Sequence, residues 1–209
     1  MKRRFLGHFA VLIASTAFFG LPAHAQEEAP DALIQRLSNE VLGQIKADAS
    51  LKAGDVNKVI QLVDAKIMPH VNFQRMAAAA VGPQWRSATP EQQKRLQDEF
   101  KLLMVRTYSG ALAQVNDQTI TVKPMRAAAG ADDVVVRSEV RGRGDPIQLD
   151  YRMEKTGSGW KVYNLNVLGV WLVENYRNQF AAEINAKGID GLIATISERN
   201  KANAAGKKG

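Results

Sequence analysis

Apolar positions along this chain recur with two different periods, and the change from one to the other organises it. Leu33, Ile34, Leu37, Val41, Leu42 and Ile45 form one stripe at three-and-four spacing, which predicts a helix over Asp31–Ala49 opened by Pro30-Asp31. Val56, Val59, Ile60, Val63 and Ile67 repeat the pattern, predicting a second helix from Asp55 to about Met68 that Pro69 stops. Asn72 then predicts a cap for a short segment, Phe73 to Val81, whose alanine run lets neighbours approach closely. After the Gly82-Pro83 turn and Trp85, Thr89-Pro90-Glu91-Gln92 combines capping-box spacing with a proline at the first helical position. The helix it opens is predicted to reach about Val115. Leu96, Phe100, Leu103, Met104 and Thr107 lie on its inward side, with Tyr108 and Leu112 beside them.

From Gln118 the period falls to two. Ile120 and Val122 alternate with threonines, Val134, Val136, Ser138 and Val140 with mainly charged residues, and Ile147, Leu149, Tyr151 and Met153 with Gln148, Asp150, Arg152 and Glu154. Trp160 to Val167 is a fourth such run. Gly130-Ala131-Asp132, Gly142–Pro146 and Gly157-Ser158-Gly159 separate the runs with turn chemistry. The simplest arrangement is a four-stranded antiparallel meander with one buried face. Gly169 ends the fourth strand, and Val170, Val173, Tyr176 and Phe180 then return to helical spacing. Lys187-Gly188-Ile189-Asp190-Gly191 predicts a corner before a last short helix through Leu192, Ile193 and Ile196. Helices, a contiguous sheet and helices again make an α+β fold in a single domain, and such a curved sheet with its helices can enclose an apolar pocket.

Three features change what this domain can do. Lys2, Arg3 and Arg4 precede a mostly apolar run from Phe9 to Phe19 and the small-residue site Ala23-His24-Ala25, which predicts a signal peptide over residues 1–25 with cleavage before Gln26. The apolar run is shorter than the roughly 18 residues a membrane anchor needs. The domain then spans residues 26–198, followed by a polar, lysine-rich tail over 199–209 expected to be disordered. Of the formal charge of +7, Lys2, Arg3 and Arg4 leave with the leader, and Lys201, Lys207 and Lys208 lie in the tail. The folded body is nearly neutral, without the basic face that nucleic acid requires. There is no cysteine, and cleavage leaves His70 as the one histidine. That composition excludes disulfides and a His/Cys metal cluster, and disfavours a serine triad.

The remaining chemical candidates are weak. Arg141-Gly142-Arg143-Gly144-Asp145-Pro146 lies between two strands and offers no helix N-terminus to an anion, so it reads as a hairpin loop. Asp132 and Asp133 point to opposite faces of a strand, and Asp150 shares a strand with Leu149 and Tyr151, which claim the inward side. Asp64 falls on the polar side of its helix. No catalytic residue and no cofactor are expected. Periodicity alone leaves two readings of the apolar face open, a filled core or the wall of a cavity.

The ordered set Trp85–Gln92, Phe100-x-x-Leu103-x-x-x-Thr107-Tyr108-x-x-Ala111-Leu112, Trp160-Lys161-Val162-Tyr163, Gly169-Val170 with Asn175-Tyr176-Arg177-x-x-Phe180, and Lys187–Leu192 resembles the MlaC-like, or toluene-tolerance, family of auxiliary transport proteins. The resemblance runs from about residue 30 to residue 198. It implies a periplasmic phospholipid carrier with a deep apolar pocket, moving lipid between an outer-membrane lipoprotein complex and an inner-membrane ABC transporter. On that reading Tyr108, Leu112, Val136, Leu149, Tyr151, Val167, Val170, Val173 and Tyr176 line the pocket. Two positions depart from the family pattern. Asn164 stands where Asp is common, and Trp171 where a small residue is common. A hopanoid-type ligand, or a periplasmic chaperone or lipoprotein-binding module, are the alternatives carried forward.

Overall fold

The computed structural model describes residues 28–112, 115, 117–125 and 130–205; the expected signal peptide and the end of the tail lie outside them. Helix α1 (Pro30–Ala47) is followed by a single turn α2 (Ala49–Lys52) and by α3 (Val56–Leu62). The second predicted helix stays helical over its length but does not keep one winding. Its end winds first into a π turn over Val63–Ile67 and then into a tight turn over Met68–His70. Next come α4 (Phe73–Val81), a 3-10 segment (Gly82–Ser87) and the long α5 (Pro90–Leu112). The capping box forms as expected: the Gln92 amide donates to Thr89 Oγ1 at 3.2 Å, and the Thr89 amide to Gln92 Oε1 at 3.0 Å.

Strands β1 (Thr119–Val122), β2 (Asp133–Arg141), β3 (Ile147–Thr156), β4 (Gly159–Val167) and β5 (Val170–Trp171) form one antiparallel sheet in sequence order. The meander is as predicted, but it has five strands rather than four. Val170 satisfies the helical stripe and the strand alternation equally well. The turn at Leu168-Gly169 decides between them by folding Val170 back onto Val167 and Trp171 onto Asn166. Helix α6 (Leu172–Ala205) starts only after this short strand. It consists of two helical stretches that meet at Gly188, whose φ of 71° and ψ of −176° are non-helical, so the predicted corner is present there. The helix also continues past residue 198 into the expected tail. Asn200 is buried there, and its amide donates to the Glu99 carbonyl at 3.0 Å and to Glu99 Oε2 at 2.7 Å.

Register places Ile120, Val122, Val134, Val136, Ser138, Val140, Ile147, Leu149, Tyr151, Met153, Leu165 and Val167 on one face of the sheet. Helix α1 crosses that face on the β1 side. The Gln35 side chain pairs with the β1 backbone, donating to the Ile120 carbonyl at 3.3 Å and accepting from the Val122 amide at 3.2 Å, which occupies an otherwise open strand edge. Helices α4, α5 and α6 cover the β4 side.

Buried apolar side chains fall into three clusters. The largest joins α4, α5 and α6 around Phe100, whose ring centroid lies 4.8 Å from that of Tyr176 and 5.2 Å from that of Phe180, both edge-on. A second joins Leu33 and Ile34 of α1 to Val134, Val136, Met153 and Val162. A third joins Ile45, Leu51, Val59, Leu62 and Val105. Most domains of this size share one contiguous core. Here the boundary between the first two clusters falls between cross-strand neighbours, since Tyr151 packs with the second cluster and its partner Leu165 with the first.

Candidate functional site

Burial along the inner face is graded. At the end nearest the β3–β4 turn, Val134, Val136, Met153 and Val162 are buried, with Val136 and Met153 at 0% exposure. In the middle, Tyr151, Leu149, Leu165 and Val167 are half-buried. At the far end Ile120 and Val140 are half-buried, while Ile147 is 43% and Val170 51% exposed. The alternation that creates the face is therefore continuous along the strands, but its cover is not. An apolar surface closed at one end and open at the other suits a long hydrocarbon guest.

The nine predicted lining residues separate into three groups. Val136, Leu149, Tyr151 and Val167 share the inner face, and Tyr108 of α5 is half-buried at the edge of the Phe100 cluster. Val173 and Tyr176 lie inside the Phe100 cluster, packed between helices. Val170 sits on the open rim in β5. The Leu112 side chain lies outside the described residues. Leu165 belongs with the first group and was missed, although it stands two residues from Val167 in the same strand. A bulge opposite Arg152 and Met153 makes Tyr163 the extra residue and obscures the alternation there. Leu37 of α1 is half-buried against the second cluster.

Hydroxyl groups punctuate this face. Ser138 is fully buried and donates to the Leu149 carbonyl at 3.1 Å, a cross-strand bond that satisfies it without a ligand. The Tyr151 phenol is pushed above its ordinary pKa by burial, an effect opposed by bonding to the Ser138 and Ser38 hydroxyls. Burial likewise raises Tyr108. These phenols stay neutral across physiological pH, and a neutral wall is what an acyl chain requires.

On the opposite, polar face the two departures from the family pattern meet. Asn164 Oδ1 accepts from the Val173 amide at 3.1 Å and from its neighbour Leu165 at 2.9 Å, so a strand residue caps the first turn of α6. Its amide donates to Glu174 Oε2 at 2.7 Å, and Arg152 reaches Glu174 Oε1 at 2.5 Å. Burial would raise the Glu174 carboxyl, but these two donors outweigh it and hold its pKa below the ordinary value. The Arg152 guanidinium lies 4.0 Å from the centre of the Trp171 ring, which pairs with Asn166 on this outer face. Trp171 therefore points away from the apolar side. Asp150 is also on the polar face, yet it is buried, with Oδ2 accepting from Gln148 at 2.9 Å and Oδ1 unpartnered among the described residues.

Two cavities lie elsewhere. One of about 440 Å³ sits at the closed end between Glu28, Leu33, His70 and Thr156–Trp160. Another of about 590 Å³ runs along α6 beside Lys187, Thr195 and Arg199. Neither touches the nine predicted positions. No group of three or more His, Cys, Asp or Glu residues among the described residues is arranged to hold a metal ion.

The model of the MlaC protein family matches residues 35–198, most of the chain. The chain belongs to the MlaC family. Members similar to it include the toluene tolerance protein ttg2D of Pseudomonas putida, 29% identical over 199 residues that cover 92% of each protein. The intermembrane phospholipid transport system binding protein MlaC of Haemophilus influenzae is 25% identical over 187 residues, covering 88% of this chain and 87% of that one. Among solved structures, a phospholipid-binding protein of Ralstonia solanacearum in complex with a phospholipid superposes with a TM-score of 0.81 at 50% identity. It covers 83% of this chain and 98% of its own. No helix among the described residues is long and apolar enough to cross a membrane.

Proposed function

We propose that this protein is a periplasmic phospholipid carrier whose acyl-chain site is the seam between the α1 cluster and the α4–α6 cluster. The observation that carries the reading is the burial gradient on the sheet face, half-covered at Leu149, Tyr151, Leu165 and Val167 and open at Ile147 and Val170. The phospholipid-bound relative at 50% identity supports the ligand class. Tyr108 borders the seam from α5, Val136 closes its end, and Val173 and Tyr176 form the packed helical wall behind it.

Two acyl chains hold about 30 methylenes, each worth ~0.8 kcal/mol when removed from water, a gross figure on the order of 20 kcal/mol. A bilayer offers nearly the same. The carrier therefore needs no strong head-group site, only an apolar interior that can part and close. Exchange is then tipped by whichever assembly it meets, and by family resemblance these are an outer-membrane lipoprotein complex and an inner-membrane ABC transporter. No step in this cycle makes or breaks a covalent bond, so the protein is read as a carrier and not an enzyme.

Native mass spectrometry after gentle purification tests the reading. The wild-type protein should carry a phospholipid-sized adduct, and Leu149→Arg should remove it while leaving the far-ultraviolet circular dichroism unchanged. A clean apo mass together with binding of unfolded peptides would favour a chaperone instead. An adduct identified by fragmentation as a hopanoid would keep the site and change the ligand.

A further inference from the structure

Between the cross-strand partners Tyr151 and Leu165 the α1 cluster and the Phe100 cluster part. One row further along the strands that division ends, because Met153 and its partner Val162 both belong to the α1 cluster. Val71 stands at this end of the seam. Among the described residues it is the one side chain that packs against both clusters. Its backbone forms an isolated parallel bridge with Val162, and the next amide, that of Asn72, donates to the Val162 carbonyl at 2.8 Å.

Bonding on both sides fixes Val71 in this position. Before it, the Pro69 carbonyl accepts from Lys161 Nζ at 2.6 Å. After it, Asn72 Oδ1 caps α4 by accepting from the Arg75 amide at 3.0 Å, while Asn72 Nδ2 donates to Glu154 Oε1 at 2.7 Å. The segment is thus tied to β3, β4 and α4, and a guest moving along the seam meets a held side chain. Its neighbour His70 lines the cavity of about 440 Å³ at the closed end, together with Leu33 and Trp160 of the α1 side. Val71 therefore stands between that space and the seam. Length agrees with such a stop. From Leu149, the first half-covered position of β3, to Met153 is about 14 Å at the usual strand rise. An acyl chain in one leaflet spans about 15 Å, half of the hydrocarbon core of a bilayer.

We propose that Val71 is the stop at the deep end of the acyl-chain site and sets the longest chain that the carrier covers. This proposal rests on the carrier reading. A chain that reaches Val71 has its methylenes out of water, whereas a longer one leaves its surplus exposed at the rim beside Ile147 and Val170 and binds less well.

The test mixes delipidated protein in detergent with equal amounts of dimyristoyl-, dipalmitoyl-, distearoyl- and diarachidoyl-phosphatidylglycerol, then quantifies the bound lipids by mass spectrometry. Wild-type binding should rise with chain length and fall again before the longest lipid. Val71→Ala should move the maximum to longer chains and Val71→Phe to shorter ones. Relative binding should change about fourfold for each methylene that gains or loses cover. Because the two shifts run in opposite directions, a loss of stability common to both variants would not mimic them, and either variant alone decides if the other does not fold. A maximum unmoved in the folded variants would overturn the proposal and leave the carrier reading standing. So would a wild type that binds all of these lipids alike. A wild type that takes up none of them would overturn both.

Discussion

At the closed end of the inner sheet face, Val134, Met153 and Val162 are buried against Leu33 and Ile34 of α1, whereas at the open end Ile147 and Val170 keep much of their surface in water. Both ends are built from the same strands with the same alternation, and Leu149 and Met153 even occupy the same side of β3. What differs is the cover. Helix α1 seals one end completely, while towards the other the apolar strip continues beyond its helices. Core and proposed binding wall are thus made from the same residue types, and the extent of cover separates them.

Paired truncations put the largest strain on that comparison. Met153→Ala should cost about 2–5 kcal/mol in urea unfolding, because it opens a void in a sealed cluster. Leu149→Ala should cost about 1 kcal/mol, since part of that side chain's surface is already uncovered. Equal losses would mean that the two ends are the same kind of core. Val136→Asp should fail to fold, since it places an unpaired carboxylate at a fully buried position, which makes Leu149 the better site for a charge that probes lipid binding.

A smaller effect is expected on the polar side. Asn164→Ala leaves the Val173 amide and one Glu174 oxygen without their partner, and should cost about 1–3 kcal/mol. Asn164→Asp, the commoner family residue, keeps the acceptor for Val173 but faces the Glu174 carboxylate. Its destabilisation should therefore shrink as the pH is lowered. A variant equally stable at all pH values would show that Glu174 is not held by Asn164.

The smallest expected effect concerns His70. Burial, aided by Arg36 and Lys161, lowers its pKa below the ordinary histidine value of about 6.5, so the folded state prefers the neutral ring. Its contribution is complete above that ordinary value and is lost as the pH falls through the folded pKa. His70→Gln should flatten this part of the stability profile, measured by thermal melts across the acidic range. A profile identical to that of the wild type would place the slope in other groups.

Much of this architecture is legible in the chain because each strand keeps its parity. Val134, Val136, Leu149 and Tyr151 announce their face by their alternation with charged residues, and Thr89 to Gln92 announce a helix start by local bonding alone. Strand β5 was not legible, since Val170 fits a helix and a strand equally well until the Leu168-Gly169 turn settles the pairing. Helical periodicity identified Val173 and Tyr176 as inward, but three clusters are available and it cannot choose among them. The Gln35 contact with β1, the Asn164 cap on α6 and the burial of Asp150 are tertiary events between segments without a shared local pattern. The open end escaped notice for a related reason, because exposure of an apolar strand residue depends on which helices stop short of it.

The most direct test places a photoactivatable carbene midway along an acyl chain of a phospholipid loaded into the protein, with the crosslinked peptides mapped after irradiation. The account predicts adducts on residues 147–151 of β3, on residues 165–167 of β4 and near Tyr108 of α5. Adducts confined to the cavity beside His70 and Trp160, or to the groove along α6, would contradict it.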